Sequence, residues 1–277
     1  MEFTRLREEQ RQHFETHGYL VVRDALPPEL VASLTAAADR LWQGGQGFDG
    51  TNEKGYWNLR NCIVHDDAFL PLLDWHKTVP LAVQLLNWNL RLITSHLIIR
   101  EPSPAGADEA FKSVGWHRDG GTSPAEMGEP HPRLFLKIAY WLTDCEQPGT
   151  GSIRFIPGSH KFIGPPPREE GAVDPVGAIE VPMRAGDAVL FEQRLYHAVG
   201  PNFADRPRKS VFFGYCYRWI QPMDYSVMPE RLLEQCDPIQ RQLLSDVKTT
   251  VGFYIPQDED VPLRAWLREH RPDLMPK

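Results

Sequence analysis

A mainly β fold with flanking helices, of the sandwich, barrel or jelly-roll kind, is what the sequence predicts, and three observations predict it. Downstream of Asn87 the chain breaks into short β-branched or aromatic runs separated by Gly, Pro, Asn and Asp clusters. Those runs do not alternate with helical stretches, and no glycine fingerprint of a dinucleotide-binding unit accompanies them, which counts against a doubly wound parallel sheet. Helical periodicity is confined to the first third and the C-terminal tail.

In chain order, a short helix is expected from about Thr4 to Thr16, ending near Gly18 and handing over to a strand at Tyr19-Leu20-Val21-Val22. From Pro28 to Trp42, the residues Leu30, Val31, Leu34, Ala38, Leu41 and Trp42 recur at three- and four-residue intervals, the mark of a helix with one buried stripe. Pro27-Pro28 suits its first turn and Gly44-Gly45 its stop. A third helical patch covers Ala68 to Leu86, with a break expected near Pro80. The strand candidates are then Leu90 to Arg100, Leu134 to Leu142, Ser152 to Ile156, Ala178 to Val181, Ala188 to Phe191, Leu195 to Val199 and Lys209 to Ile220. Between them the polar, proline-rich stretch from Gly164 to Gly171 reads as a surface loop, with a lid as the alternative. The tail from Pro229 to Val247 is helical again, with Leu232, Leu233, Ile239, Leu243 and Leu244 as its stripe. The expected organisation is a single domain over 1–277: a helical buttress over about 1–88, a β core over about 89–220 and a helical tail over about 221–277.

Of the 277 residues, 42% are hydrophobic and 24% charged, the ordinary globular mix, which excludes a disordered, collagen-like or coiled-coil chain. The formal charge of −7 gives no global attraction for a phosphate backbone, so nucleic acid is not an expected partner. The longest apolar runs, such as Leu81 to Leu86 and Val211 to Cys216, fall far short of the ~20 residues of a membrane-spanning helix. The polar, acid-bearing N-terminus is unlike a leader peptide, and a cytoplasmic location is expected. Cys62, Cys145, Cys216 and Cys236 are too scattered for a disulfide framework and read as reduced, small hydrophobes.

The chemistry concentrates in Trp116-His117-Arg118-Asp119-Gly120-Gly121, where an imidazole and a carboxylate two residues apart on extended backbone can face one side and share a metal ion. His-x-Asp alone is a weak signal. His197, on a late strand, supplies a third ligand, and two imidazoles with one carboxylate leave about three positions open, as in non-haem Fe(II) oxygenases. Arg208, at the start of the last strand, can clamp a cosubstrate carboxylate through two parallel charge-assisted hydrogen bonds. Arg206 and Lys209 read as solvated turn charges, either of which replaces Arg208 if the register is off.

His117-x-Asp119, the phrase Phe155-Ile156-Pro157-Gly158-Ser159-His160, the Gly186-Asp187 turn, then His197 and Arg208, together resemble the phytanoyl-CoA dioxygenase family of Fe(II)/2-oxoglutarate oxygenases. The opening Phe14-x-x-x-Gly18-Tyr19-Leu20-Val21 is similar to the start of that family's domain. The resemblance implies a double-stranded β-helix, a cupin-like jelly roll with iron at one open end. It implies that His117, Asp119 and His197 bind Fe(II) and that Arg208 holds the distal carboxylate of 2-oxoglutarate. O2 is the other cosubstrate, and succinate and CO2 are the coproducts. The expected outcome is hydroxylation, with desaturation, ring closure or endoperoxide formation as variants; Asp119 disfavours halogenation, for which a small residue is needed in place of the carboxylate.

Tyr140 falls where relatives often place a tryptophan near the cosubstrate, so it is a candidate cosubstrate contact, with core packing as the alternative. His160 is expected to shape a turn. Val199 departs from the family's pattern, which has a serine there; Ser210 and Thr94 are candidate replacement hydroxyls. Trp57, Trp88, Trp116, Trp141 and Trp219 are candidates for the approaches to the site, core packing being the alternative for each. Arg60, Asn61 and Arg100 are candidate contacts for a polar substrate, and alternation puts His96 and Arg100 on one face of their strand. By analogy with compact relatives, a small-molecule substrate is expected, as in the tailoring of specialised metabolites. The rival readings are a non-catalytic cupin-like protein binding a metal or small ligand, and a metal-dependent isomerase or hydrolase.

Overall fold

Antiparallel pairing gathers the strands into two sheets. The computed structural model describes residues 3–45, 55–103, 114–120, 127–246, 249 and 251–275; Gly121, the end of the His-x-Asp phrase, lies outside them. Its strands are β1 (Tyr19–Val22), β2 (Tyr56–Arg60), β3 (Leu90–Arg100), β4 (Val114–His117), β5 (Phe135–Trp141), β6 (Ile153–Phe155), β7 (Ile179–Glu180), β8 (Ala188–Glu192), β9 (His197–Val199) and β10 (Arg208–Tyr217). A six-stranded sheet runs in the order β1-β8-β5-β10-β3-β2 and a four-stranded sheet in the order β4-β9-β6-β7. Each predicted strand is present with ends moved by a few residues. Two more carry too little signal to predict. One is β4, described only from Val114. The other is β2, where apolar Trp57 and Leu59 alternate with Tyr56, Asn58 and Arg60 on a polar inner face.

Strict alternation gives the larger sheet two different faces. Leu97, Ile99, Ile138, Leu190, Val211 and Phe213 pack with the helices into the main core. Ile98, Ala139, Trp141, Val189, Phe191 and Phe212 turn the other way and meet Ile153 and Phe155 of the smaller sheet. Burying each such side chain contributes about 1.5–3 kcal/mol, so a one-residue slip, which would exchange the two faces, is excluded.

Helix α1 (Glu8–His17) ends at Gly18, whose φ of 83° lies in the left-handed region and whose amide donates to the Phe14 carbonyl. Helix α2 (Pro28–Gln43) buries Leu34, Ala37, Ala38 and Leu41. The third patch divides into a 3-10 stretch (Asp67–Asp74) and helix α3 (Val79–Leu85). The break falls at Trp75–Thr78, just before Pro80, which sits in the first turn of α3, where a missing N–H costs nothing. The tail holds helices at Glu230–Leu233, Pro238–Leu243 and Pro262–His270, the last beyond the stripe read to Val247 but inside the helical tail expected over about 221–277. Residues 164–171 form a largely exposed loop. Among the described residues no helix is long and apolar enough to cross a membrane.

Candidate metal centre

In the smaller sheet β4 lies beside β9, and His117 stands directly opposite His197. The ladder shifts register between Val114 and His117, a bulge made possible by Gly115 at φ 56°, which re-aims the strand end toward the space between the sheets. Each imidazole is oriented by its own strand: Nδ1 of His117 donates to the Gly115 carbonyl at 2.7 Å, and Nδ1 of His197 to the Leu195 carbonyl at 2.8 Å. That leaves the Nε2 lone pairs as the free ligating positions. The Asp119 amide donates to the Gln193 carbonyl (2.8 Å), pinning the turn after β4 to the end of β8.

The Asp119 carboxylate lies 3.9 Å from Nε2 of His117 and 3.7 Å from Nε2 of His197, and one ligand atom from each residue falls within 4.8 Å of the others. Oδ2 of Asp119 is buried without a hydrogen-bond partner, a costly state that a divalent cation would relieve. Burial by itself raises the Asp119 pKa, but Lys137, then His197 and His117, outweigh it and hold the carboxyl at about 2. Burial pushes His197 down to about 3, opposed only in part by Asp119. At neutral pH the set is thus one carboxylate with at least one neutral imidazole, the protonation state that ligation requires, and it fits a Fe(II)-type ion.

Lys137 is the member the sequence reading missed. It lies on the inner face of β5 and its Nζ donates to Oδ1 of Asp119 at 2.8 Å. Counting back by twos from Trp141 puts Lys137 on the same face as that residue, but the sequence does not say which face looks inward.

The three residues border a cavity of about 100 Å³ that Arg208, His96, Tyr56, Trp141 and Phe212 also line. Arg208 is 3% exposed; its Nη1 donates to the Ser210 hydroxyl at 2.6 Å, its Nε has no partner, and no carboxylate among the described residues pairs with it. Alternation along β10 selects it over its neighbours: Lys209 turns to Asp39 (2.6 Å), and Arg206 is exposed near Asp144. Ser210 therefore lies beside Arg208, whereas the Thr94 hydroxyl donates to Asp224 at 2.6 Å. Val199 contributes an apolar patch to the cavity wall.

Tyr140 corrects the reading that placed it beside the cosubstrate. It is fully buried in the helical core with its hydroxyl 2.6 Å from that of Thr78, because an even position on β5 faces the helices. Its neighbour Trp141 faces the site. His160 is buried against the end of α1, with Nε2 3.2 Å from the Glu15 carbonyl, in the structural role expected. Trp57 and Trp88 belong to the helical core, and Trp116 donates to Asp174 at 2.8 Å. His96 and Arg100 do share the inner face, opposite Phe212 and Arg208 of β10. Neither this cavity nor the larger one beside it is lined by the 164–171 loop. The larger cavity, about 460 Å³, shares Arg60, Asp119 and Lys137 with the smaller and extends toward Trp219.

Comparison with known proteins gives the family and the fold. Residues 14–210 match the family model described as phytanoyl-CoA dioxygenase (PhyH). The ectoine dioxygenase of Nocardia farcinica is 27% identical over 235 residues, covering 74% of this chain and 76% of the relative. A probable alpha-ketoglutarate-dependent hypophosphite dioxygenase of Stutzerimonas stutzeri is 24% identical over 234 residues, covering 75% and 77%. HygX of Streptomyces hygroscopicus, solved with nickel and 2-oxoglutarate bound, superposes with a TM-score of 0.63 at 20% identity, covering 80% of this chain and 91% of that one, a likeness of fold. The chain belongs to the phytanoyl-CoA dioxygenase family, and with it to the Fe(II)- and 2-oxoglutarate-dependent dioxygenases.

Proposed function

We propose that His117, Asp119 and His197 hold the iron of this dioxygenase, that Arg208 binds the distal carboxylate of 2-oxoglutarate in the smaller cavity, and that the larger cavity receives a small-molecule substrate. One observation carries the reading: a buried carboxylate oxygen beside two imidazoles and a buried guanidinium, the one without a hydrogen-bond partner and the other without an acid among the described residues, border the same pocket. When bound, iron with O2 and 2-oxoglutarate supplies the oxidising equivalent for C–H functionalisation, with succinate and CO2 as coproducts. The protein's share is positional. Gly115 and Leu195 carbonyls fix the imidazole tautomers, Lys137 fixes the Asp119 carboxylate, and Phe191, Phe212 and Trp141 exclude water from the cosubstrate's end of the pocket. Ser210, already bonded to Arg208, supplies the hydroxyl that Val199 lacks.

A binding protein or a metal-dependent isomerase or hydrolase has no use for a buried guanidinium with no acid beside it, whose desolvation costs several kcal/mol unless an anion arrives. We place the reaction in the cytoplasm, in keeping with four free cysteines, and a specialised-metabolite substrate fits a cavity of this size. The test is succinate release from 2-oxoglutarate. It should require both Fe(II) and O2, fall at least ~100-fold in Asp119→Ala, and need roughly tenfold or more 2-oxoglutarate in Arg208→Ala. Undiminished release from Asp119→Ala would remove the metal assignment, and an unchanged requirement in Arg208→Ala would move the anchor to another cation.

A further inference from the structure

The larger cavity is apolar over most of its wall, through Ile93, Phe135, Trp219, Ile220 and Met223, yet three cations reach it: Arg60, Lys137 and Arg194. Two of them are spent. Lys137 is held by Asp119 at 2.8 Å and Arg194 by Glu192 at 2.7 Å. The guanidinium of Arg60 has no hydrogen bond or ion pair among the described residues. Asp224, whose carboxyl feels its charge, takes its donors from the Thr94 hydroxyl (2.6 Å) and the amides of Asn61 (3.0 Å) and Ser95 (3.3 Å) instead.

Arg60 is also placed where a ligand must pass. It ends β2, the edge strand of the larger sheet, stands opposite His96 on β3, and lines both cavities, so it marks the junction between the proposed cosubstrate pocket and the substrate space. Around the same opening Trp219 and Met223 keep 57% and 46% of their surface exposed among the described residues, an apolar rim.

We infer that the substrate is an organic oxyanion, its anionic group clamped by Arg60 at the junction and its carbon body laid along the apolar wall toward Trp219. The planar fork of a guanidinium suits a carboxylate or a phosphate equally, and the apolar wall excludes a small inorganic anion as the preferred occupant. This inference rests on the reading of the smaller cavity as the seat of 2-oxoglutarate.

The test is calorimetric titration of protein already saturated with Mn(II) and 2-oxoglutarate, under nitrogen, with three probes of one shape: 4-phenylbutyrate, 4-phenylbutyl phosphate and 4-phenylbutyramide. Either anion should bind about tenfold or more tightly than the amide, and the tighter of the two identifies the oxyanion. Arg60→Gln should erase that preference, and Arg60→Lys should restore part of it. Equal affinity for acid and amide, no binding of either anion, or a loss of 2-oxoglutarate affinity in Arg60→Gln as large as the loss of anion affinity would each overturn the inference. Failure of the wild-type protein to take up 2-oxoglutarate would overturn the reading beneath it.

Discussion

Lys137 and Asp119 retain 11% and 10% of their side-chain surface, so their ion pair stands in a medium that stabilises neither charge alone. Removing one partner of such a pair typically costs about 3–5 kcal/mol, because the survivor stays buried and uncompensated. Lys137→Met should therefore destabilise the metal-free protein by about 3 kcal/mol in urea unfolding. Mn(II), by neutralising Asp119, should then raise the melting temperature of the variant more than that of the wild type. Equal increments in the two proteins would show that Lys137 does not hold that carboxylate.

His197 and His96 are residues of the opposite kind, imidazoles that burial keeps neutral. His197 is pushed down to about 3, and His96 falls well below its usual range, burial first and Arg60 next. In the unfolded chain both take a proton near the ordinary histidine value of about 6.5, whereas in the folded protein His197 does so only near 3. Stability is present above pH 6.5 and is lost as pH falls toward 3, by up to ~1.4 kcal/mol per pH unit for each histidine. In EDTA-treated protein, stability measured by urea between pH 7 and 5 should fall with that slope, and His96→Gln should roughly halve it.

Among the elements, the junction of α1 and β1 matters beyond its size. A Cβ on Gly18 would lie 2.7 Å from Nδ1 of His160 and 2.9 Å from Cδ1 of Leu195, on a backbone with φ of 83°. Leu195 is the residue whose carbonyl orients His197, so this close approach ties the first helix to the metal side of the sheet. Gly18→Ala combines left-handed strain with overpacking, about 2–4 kcal/mol together, measurable as a lower urea midpoint. The variant should also bind Mn(II) less tightly; unchanged affinity would mean that the junction supports only the core.

For the whole molecule, the two sheets leave between them the space where His117, Asp119, His197, Arg208 and the two cavities meet. Ligands that bind this folded arrangement and not the unfolded chain must stabilise it by mass action. Mn(II) with 2-oxoglutarate, each supplied at about a hundred times its dissociation constant, should add about 2.7 kcal/mol per ligand to the unfolding free energy. In Asp119→Ala the metal's share should vanish, which thermal or urea unfolding reads directly.

Much of this was legible without coordinates. The long strands announced themselves because β3, β5 and β10 are apolar on both faces, and His-x-Asp, His197 and Arg208 could be assembled from residue type and order. Tyr140, Trp57 and Lys137 could not be placed, since period-two alternation states which residues share a face but not which face looks inward; only the helices covering one side of the larger sheet decide that. The sequence by itself determined the chemistry available to this protein. Tertiary structure alone decided that Arg60 stands at a junction of two cavities and that Lys137 grips Asp119, because both facts depend on distances between strands far apart in the chain.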